Sequence, residues 1–210
     1  VIALPSRGLY AITSEAICRE PLRLQRSVQA ALRGGARLIQ YRDKHSDDTA
    51  RLRNALLLQA LCREAGVPLL INDGPVDFVA QHGFDGMHLG SSDGDLAAAR
   101  ARCPQAVIGA TCGHALARAT AAVQAGASYV AFGAFYPSST KPQALPAPWS
   151  LLLEARAALA VPICAIGGIT PANAAPLIAA GAHYIAAIEG VFGAPDIEAA
   201  ARAYAQLFAD

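Results

Sequence analysis

Short apolar runs alternate with longer helical stretches along the whole chain, and the pair recurs eight times in 210 residues. Strand-like runs rich in Val, Ile, Leu and Tyr fall at 9–13, 38–42, 69–72, 86–89, 107–110, 129–133, 163–166 and 184–188. Helical patterns lie between them at 25–33, 49–65, 77–82, 95–102, 115–125, 149–160, 173–180 and 197–208. Glycines follow many of these helical runs, at Gly34–Gly35, Gly66, Gly83, Gly126 and Gly181, where a left-handed C-terminal residue is wanted. Nothing between the runs reads as a hairpin turn, so neighbouring strands must be joined by crossovers and lie parallel. The pattern predicts an α/β fold, a single (β/α)8 TIM barrel with parallel strands, with residues 1–210 as one domain. An open doubly wound sheet permits the same alternation. The count of eight is what closure needs.

Composition narrows the function classes. Lys and Arg number 17 against 16 Asp and Glu, a formal charge of +1, so no global field draws the chain to nucleic acid or a membrane surface. An anionic ligand must then be held by local groups. No apolar run reaches the ~18–20 residues of a membrane span. The first eight residues lack a basic region followed by an apolar stretch, so no signal peptide is expected. The five cysteines, Cys18, Cys62, Cys103, Cys112 and Cys164, are scattered and never spaced C-x-x-C. They point to a reducing, cytoplasmic setting rather than a disulfide framework or zinc site.

In a barrel the site lies at the C-terminal strand ends, and polar clusters occur there. Gln40, Arg42 and Lys44 in "QYRDK" project to one side of an extended segment, Tyr41 and Asp43 to the other. Two cations and an amide at a barrel mouth suit a phosphate or diphosphate, or else form a solvated strand end. Asn72 and Asp73 close the third strand and Asp93 follows the fourth. Each Asp alone reads as a helix cap, but two on adjacent loops beside a diphosphate fit Mg2+. "GAFYPSSTK" sets Ser138, Ser139, Thr140 and Lys141 in a turn, a candidate anion nest. Gly167 and Gly168 in "AIGGIT", with "AAIEGVF" after the eighth strand, occupy the usual barrel phosphate position. Thr111 ends the fifth strand with a hydroxyl that could face the cavity. His88, inside a strand, reads as a satisfied core histidine, and Cys112 has no histidine to activate it.

These residues together resemble the thiamine-phosphate synthase family (thiamine-phosphate pyrophosphorylases). The likeness runs through "GLYAIT", "GGARLIQYRDK", "LLINDGPVD", "GMHLGSSD", "VIGATC", "YVAFGAFYPSSTKP" and "PICAIGGITPAN" in that order. It implies a barrel that joins 4-amino-2-methyl-5-hydroxymethylpyrimidine diphosphate to 4-methyl-5-(2-phosphoethyl)thiazole or its carboxylated form, with Mg2+. By the resemblance Gln40, Arg42, Lys44, Asn72, Thr111 and Lys141 bind the pyrimidine diphosphate, and Asp73 and Asp93 the metal. The whole run from Gln40 to Lys44, with Tyr41 and Asp43, is the candidate diphosphate segment. Ser138, Ser139, Thr140, Gly168, Ile188 and Glu189 fall where the family holds the thiazole phosphate. Departure of diphosphate before capture of a pyrimidine-methyl cation needs no protein nucleophile. It needs charge stabilisation by Arg42, Lys44 and Lys141, the candidate catalytic groups.

The chain departs from the family pattern at a few positions. Glu189 stands where Ser is usual, Ser91 ends the fourth-strand motif, and His114 comes late after Thr111-Cys112-Gly113. A carboxylate ~4 Å from a phosphate costs about 4 kcal/mol per charge pair at an effective dielectric near 20, so Glu189 is expected to turn outward. Rival readings are a thiazole tautomerase, a silent thiazole- or thiamine-phosphate-binding module, and a sugar-phosphate barrel isomerase. The tautomerase and the isomerase do not require the cations of "QYRDK" together with two aspartates, and the silent module has Glu189 as its only support.

Overall fold

The computed structural model describes residues 2–90, 93–138 and 146–209. Eight parallel strands close into one barrel in sequence order: β1 (Gly8–Ile12), β2 (Leu38–Arg42), β3 (Leu69–Asn72), β4 (Gly86–Leu89), β5 (Val107–Gly113), β6 (Tyr129–Phe132), β7 (Ile163–Ile166) and β8 (Tyr184–Ala187). β1 pairs with both β2 and β8, which removes every sheet edge and excludes the doubly wound alternative.

Strand parity divides the core into two. Leu9, Ala11, Ile39, Tyr41, Ile108 and Val130 point outward into the layer between strands and helices. Tyr10, Ile12, Leu38, Leu70, Tyr129 and Tyr184 point inward and fill the barrel. Strands buried on both faces are why the runs read as continuously apolar. Each Leu or Ile so buried contributes roughly 1.5–3 kcal/mol, before the entropy of ordering it is set against that gain.

The helices begin where acceptors cap them. Asp47, Asp95 and Asp196 accept from backbone N–H groups of Ala50, Ala97 and Ala199 at 2.8, 2.8 and 2.9 Å, opening helices Asp48–Glu64, Leu96–Arg102 and Ile197–Ala205. Gly83 ends helix Val76–His82 in the left-handed conformation, φ 63°, as the sequence predicts. Two four-residue helices, Glu15–Cys18 and Glu189–Phe192, occupy the turns after β1 and β8. Among the described residues no helix is long and apolar enough to cross a membrane.

Candidate active site

β2 carries the first cationic group into the mouth. Because alternate residues share a face, Gln40 and Arg42 project inward and Lys44 continues their line past the strand end. The Arg42 backbone is held by Thr13, whose Oγ1 accepts from Arg42 N–H at 2.8 Å and donates to its carbonyl at 3.1 Å. β3 ends at Asn72, and the chain turns at Asp73 with φ 61°, the one non-glycine positive φ among the described residues. That turn aims the Asp73 carboxylate at the cations, with Arg42 Nε at 4.0 Å and Lys44 Nζ at 3.9 Å. Asn72 Nδ2 donates to Asp93 Oδ2 at 3.2 Å, which ties the loops after β3 and β4 together. The Gly90 N–H donates to the same oxygen at 2.7 Å.

Gln40, Arg42, Lys44, Asn72, Asp73 and Asp93 all border one cavity of about 500 Å3 at the C-terminal strand ends. Thr111, Ser138, Gly168, Ile188 and Glu189 border it too. The volume suits a small-molecule site. The predicted residues from β2, β3, β4, β5, β7 and β8 are therefore brought together.

The electrostatics mark Asp73. Its Oδ2 is buried and, among the described residues, has no hydrogen-bond donor. Burial pushes its carboxyl above the usual range, against the pull of Lys44 and Arg42, and the neighbouring Asp93 adds to the rise. Two aspartates are a hard oxygen donor set, and an orphaned buried oxygen between two cations is what a divalent ion would complete. Among the described residues no group of three or more His, Cys, Asp or Glu gathers to hold a metal. Asp73 and Asp93 therefore suit an ion whose other ligands come from substrate oxygens and water.

Two of the expected residues are placed elsewhere, which corrects that part of the reading. Tyr41 and Asp43 do not face the cavity. Tyr41 lies in the outer layer and donates to Asp43 Oδ2 at 2.8 Å, while Asp43 Oδ1 accepts from the N–H groups of His45 and Ser46, both at 3.1 Å. Burial would raise the Asp43 carboxyl, but bonds from Ser46, Tyr41 and His45 outweigh it and hold the group below the usual range. Asp43 thus braces the turn that carries Lys44. The openings at Gly167 and Gly168 also serve a neighbour. Added Cβ atoms would fall 2.4 Å from Ala134 Cβ and 2.2 Å from the Pro137 carbonyl oxygen, so these glycines admit the loop after β6. Glu189 is exposed, and its Oε2 lies 2.6 Å from where a Cβ on Gly193 would stand. Its carboxylate runs along its own short helix. Ser91, Ser139, Thr140 and Lys141 lie outside the described residues.

Two tyrosines under the mouth carry no charge to mark them in the sequence, whereas His88 is the satisfied, buried histidine expected of it. Tyr10 and Tyr129 are buried with their hydroxyls 2.7 Å apart, and both ring nitrogens of His88 are bonded, to Tyr129 and Thr111. The signal that could have found them is Gly109, a glycine inside a strand that implies close approach of a neighbour. The five cysteines are free and buried, and burial pushes the Cys112 thiol up to about 11, which disfavours the thiolate that a nucleophile needs.

A closed parallel barrel with cations and aspartates around a cavity at its C-terminal rim has the layout of a barrel enzyme with an anionic small-molecule site. Comparison with known proteins narrows this. The family model for thiamine monophosphate synthase matches residues 9–191. The thiamine-phosphate synthase of Chromobacterium violaceum is 52% identical over 202 residues, 96% of each chain. That of Methylococcus capsulatus is 46% identical over 208 residues, 99% of this chain and 92% of its own. The solved thiamine phosphate pyrophosphorylase of Pyrococcus furiosus superposes with a TM-score of 0.85 at 30% identity, covering 96% of this chain and 95% of its own. The chain belongs to the thiamine monophosphate synthase family, and it is an enzyme, a transferase of thiamine biosynthesis.

Proposed function

We propose that the enzyme joins 4-amino-2-methyl-5-hydroxymethylpyrimidine diphosphate to 4-methyl-5-(2-phosphoethyl)thiazole, or its carboxylated form, giving thiamine phosphate and diphosphate. The observation that carries the reading is the meeting of Arg42, Lys44, Asp73 and Asp93 at one cavity, with Asp73 Oδ2 left for a ligand that brings its own donor or charge.

The methylene carbon–oxygen bond of the pyrimidine breaks first, and its electron pair leaves with the diphosphate. The thiazole nitrogen then gives its lone pair to the pyrimidine-methyl cation and closes the new carbon–nitrogen bond. Arg42, as a planar fork, and Lys44, as a point charge, stabilise the negative charge on the departing diphosphate, with Lys141 as the third cation in this reading. Asp73 and Asp93 hold Mg2+, which when bound neutralises diphosphate charge as a Lewis acid. Asn72 orients Asp93, as the 3.2 Å bond supports. Gln40 and Thr111 hold the pyrimidine ring. Ser138, Ser139, Thr140, Gly168, Ile188 and the backbone at Glu189 receive the thiazole phosphate and keep its nitrogen in line. No group acts as a protein nucleophile. The five free cysteines support a reducing, cytoplasmic setting.

Mixing both substrates with Mg2+ and following thiamine phosphate tests the reading. Product is expected, and EDTA is expected to abolish it. No product with Mg2+ present removes the assignment, and product that survives metal removal removes the roles given to Asp73 and Asp93.

A further inference from the structure

An unbroken line of hydrogen bonds crosses the barrel interior below the cations, and nothing in the bond-breaking chemistry uses it. Gln40 Nε2 is 2.6 Å from Tyr10 Oη, and Tyr10 Oη is 2.7 Å from Tyr129 Oη. Tyr129 Oη is 2.7 Å from His88 Nδ1, and His88 Nε2 is 2.9 Å from Thr111 Oγ1. Strand register builds the line. His88, Gly109 and Tyr129 are partners across β4, β5 and β6. A Cβ on Gly109 would fall 2.0 Å from Tyr129 Cζ, so the glycine is what lets the tyrosine ring lie across β5 and reach the histidine. Tyr10 and Tyr184 hold that ring edge-on, with centroids at 5.9 and 6.0 Å.

Proton counting sets a direction. A phenol has one proton to give, and a neutral imidazole has one N–H. With Gln40 giving an amide N–H to Tyr10, the arrangement that leaves no phenol proton without an acceptor along the line sends the Tyr10 proton to Tyr129 and the Tyr129 proton to His88 Nδ1. His88 then carries its own proton on Nε2 and gives it to Thr111 Oγ1. Burial raises both phenols far above neutral pH, so neither loses its proton. The free valences lie at the ends, and both end residues border the cavity. Gln40 has its carbonyl oxygen, an acceptor, and Thr111 has its hydroxyl proton, a donor.

We propose that Tyr10, Tyr129 and His88 are positioning residues that lock this polarity and so make the cavity selective for a flat heterocycle with an exocyclic amino group and an unprotonated ring nitrogen. The proposal rests on the pyrimidine half of the reading above and deepens it. The amino group gives its N–H to Gln40 Oε1, and the ring nitrogen accepts from Thr111. An oxo analogue presents a carbonyl where the amino group should be, which faces Gln40 Oε1 lone pair to lone pair. Turning the Gln40 amide to suit it would require every proton in the line to reverse, with His88 changing tautomer. Sites that leave a buried polar group unpaired by the wrong substrate discriminate strongly.

The test uses the full chain with Tyr129→Phe, which removes one oxygen and keeps the ring, and Tyr10→Phe as a second break in the same line. Nitrogen-15 NMR of His88 in the wild type is expected to show the Nε2–H tautomer. The Nδ1–H tautomer would mean the opposite polarity and overturn the proposal. Competition binding then compares the aminopyrimidine diphosphate with its 4-oxo analogue. The wild type is expected to favour the amino form at least 100-fold, and either variant to lose tenfold or more of that preference. The KM for thiazole phosphate should move less than twofold, which separates a loss of polarity from general loosening. Normal product formation with the preference unchanged in the variants removes the relay and leaves the function reading standing. A wild type that binds neither pyrimidine removes both.

Discussion

Asp85 and Asp73 sit at opposite rims of the same barrel and are satisfied in opposite ways. At the N-terminal rim Asp85 is buried, and each carboxylate oxygen has a backbone donor: Ile2 N–H at 2.7 Å to Oδ1 and Leu69 N–H at 3.1 Å to Oδ2. At the C-terminal rim Asp73 turns through a positive φ, has no donor on Oδ2 among the described residues, and meets the side chains of Arg42 and Lys44 near 4 Å. A neutral donor at hydrogen-bond distance stabilises the fold outright. A cation held 4 Å away leaves room for something to enter between the charges. The lower rim closes the barrel, and at the upper rim Asp73 Oδ2 stands without a donor among the described residues, as expected where a binding group is held ready.

The largest effect that would sharpen this contrast is on turnover. Arg42→Ala and Asp73→Asn are each expected to lower kcat/KM for the pyrimidine diphosphate by about 10²–10³-fold, the range seen when one charge-stabilising group is removed from a transition state. Thermal unfolding of Asp73→Asn should show a Tm equal to or above the wild type, since the cost of burying the charge outweighs the pull of Arg42 and Lys44 on it. Unchanged turnover in both variants would break the assignment of the upper rim.

Asp85→Ala is expected to do the reverse. It strands the buried Leu69 N–H and the part-buried Ile2 N–H, so chemical denaturation should show a loss of about 2–4 kcal/mol and calorimetry a Tm lower by roughly 4–16 °C. Turnover at a temperature where the variant remains folded should stay within a few-fold of wild type. A collapse of turnover without loss of stability would mean that the two rims are not separate in function.

The barrel was legible because its strands are buried on both faces and end in glycine or polar residues. β2, β3, β4 and β7 begin and end where the apolar runs do. The helices Glu15–Cys18 and Glu189–Phe192 escaped because a single turn is too short to display a 3.6-residue period. Among the site residues, the cations and aspartates stood out because charge at a strand end has no packing reason to be there. Tyr10 and Tyr129 did not, since their rings belong in an apolar run and only the hydroxyl tip is chemical. Which tip meets which depends on register between strands distant in sequence, as Gly109 opposite Tyr129 shows. Tyr41 and Asp43 were drawn in by adjacency to Arg42, although parity sends them to the other side of the strand.

A third aspartate grades the comparison. Asp43 lies at the upper rim yet is satisfied like Asp85, with donors from Tyr41, His45 and Ser46. Its folded pKa lies below the unfolded value, so the stability it contributes is complete above the unfolded pKa of about 3.9 and fades as pH falls through the folded value. Denaturation of wild type and Asp43→Asn from pH 7 to pH 2 should therefore show a gap that narrows only below about pH 4. A gap independent of pH would mean that the charge itself does not hold the turn carrying Lys44.

The smallest expected effect concerns Glu189, a carboxylate that borders the cavity yet runs toward Gly193. If every acid at the upper rim is either a ligand in waiting or turned away, Glu189 belongs to the second kind. Glu189→Ser should then change the KM for thiazole phosphate by less than twofold, because water screens an exposed charge directed along its own helix. A gain of tenfold or more, about 1.4 kcal/mol, would place the carboxylate within reach of the phosphate. The upper rim would then contain a charge that opposes its own substrate, and the contrast between the rims would no longer be one of readiness against closure.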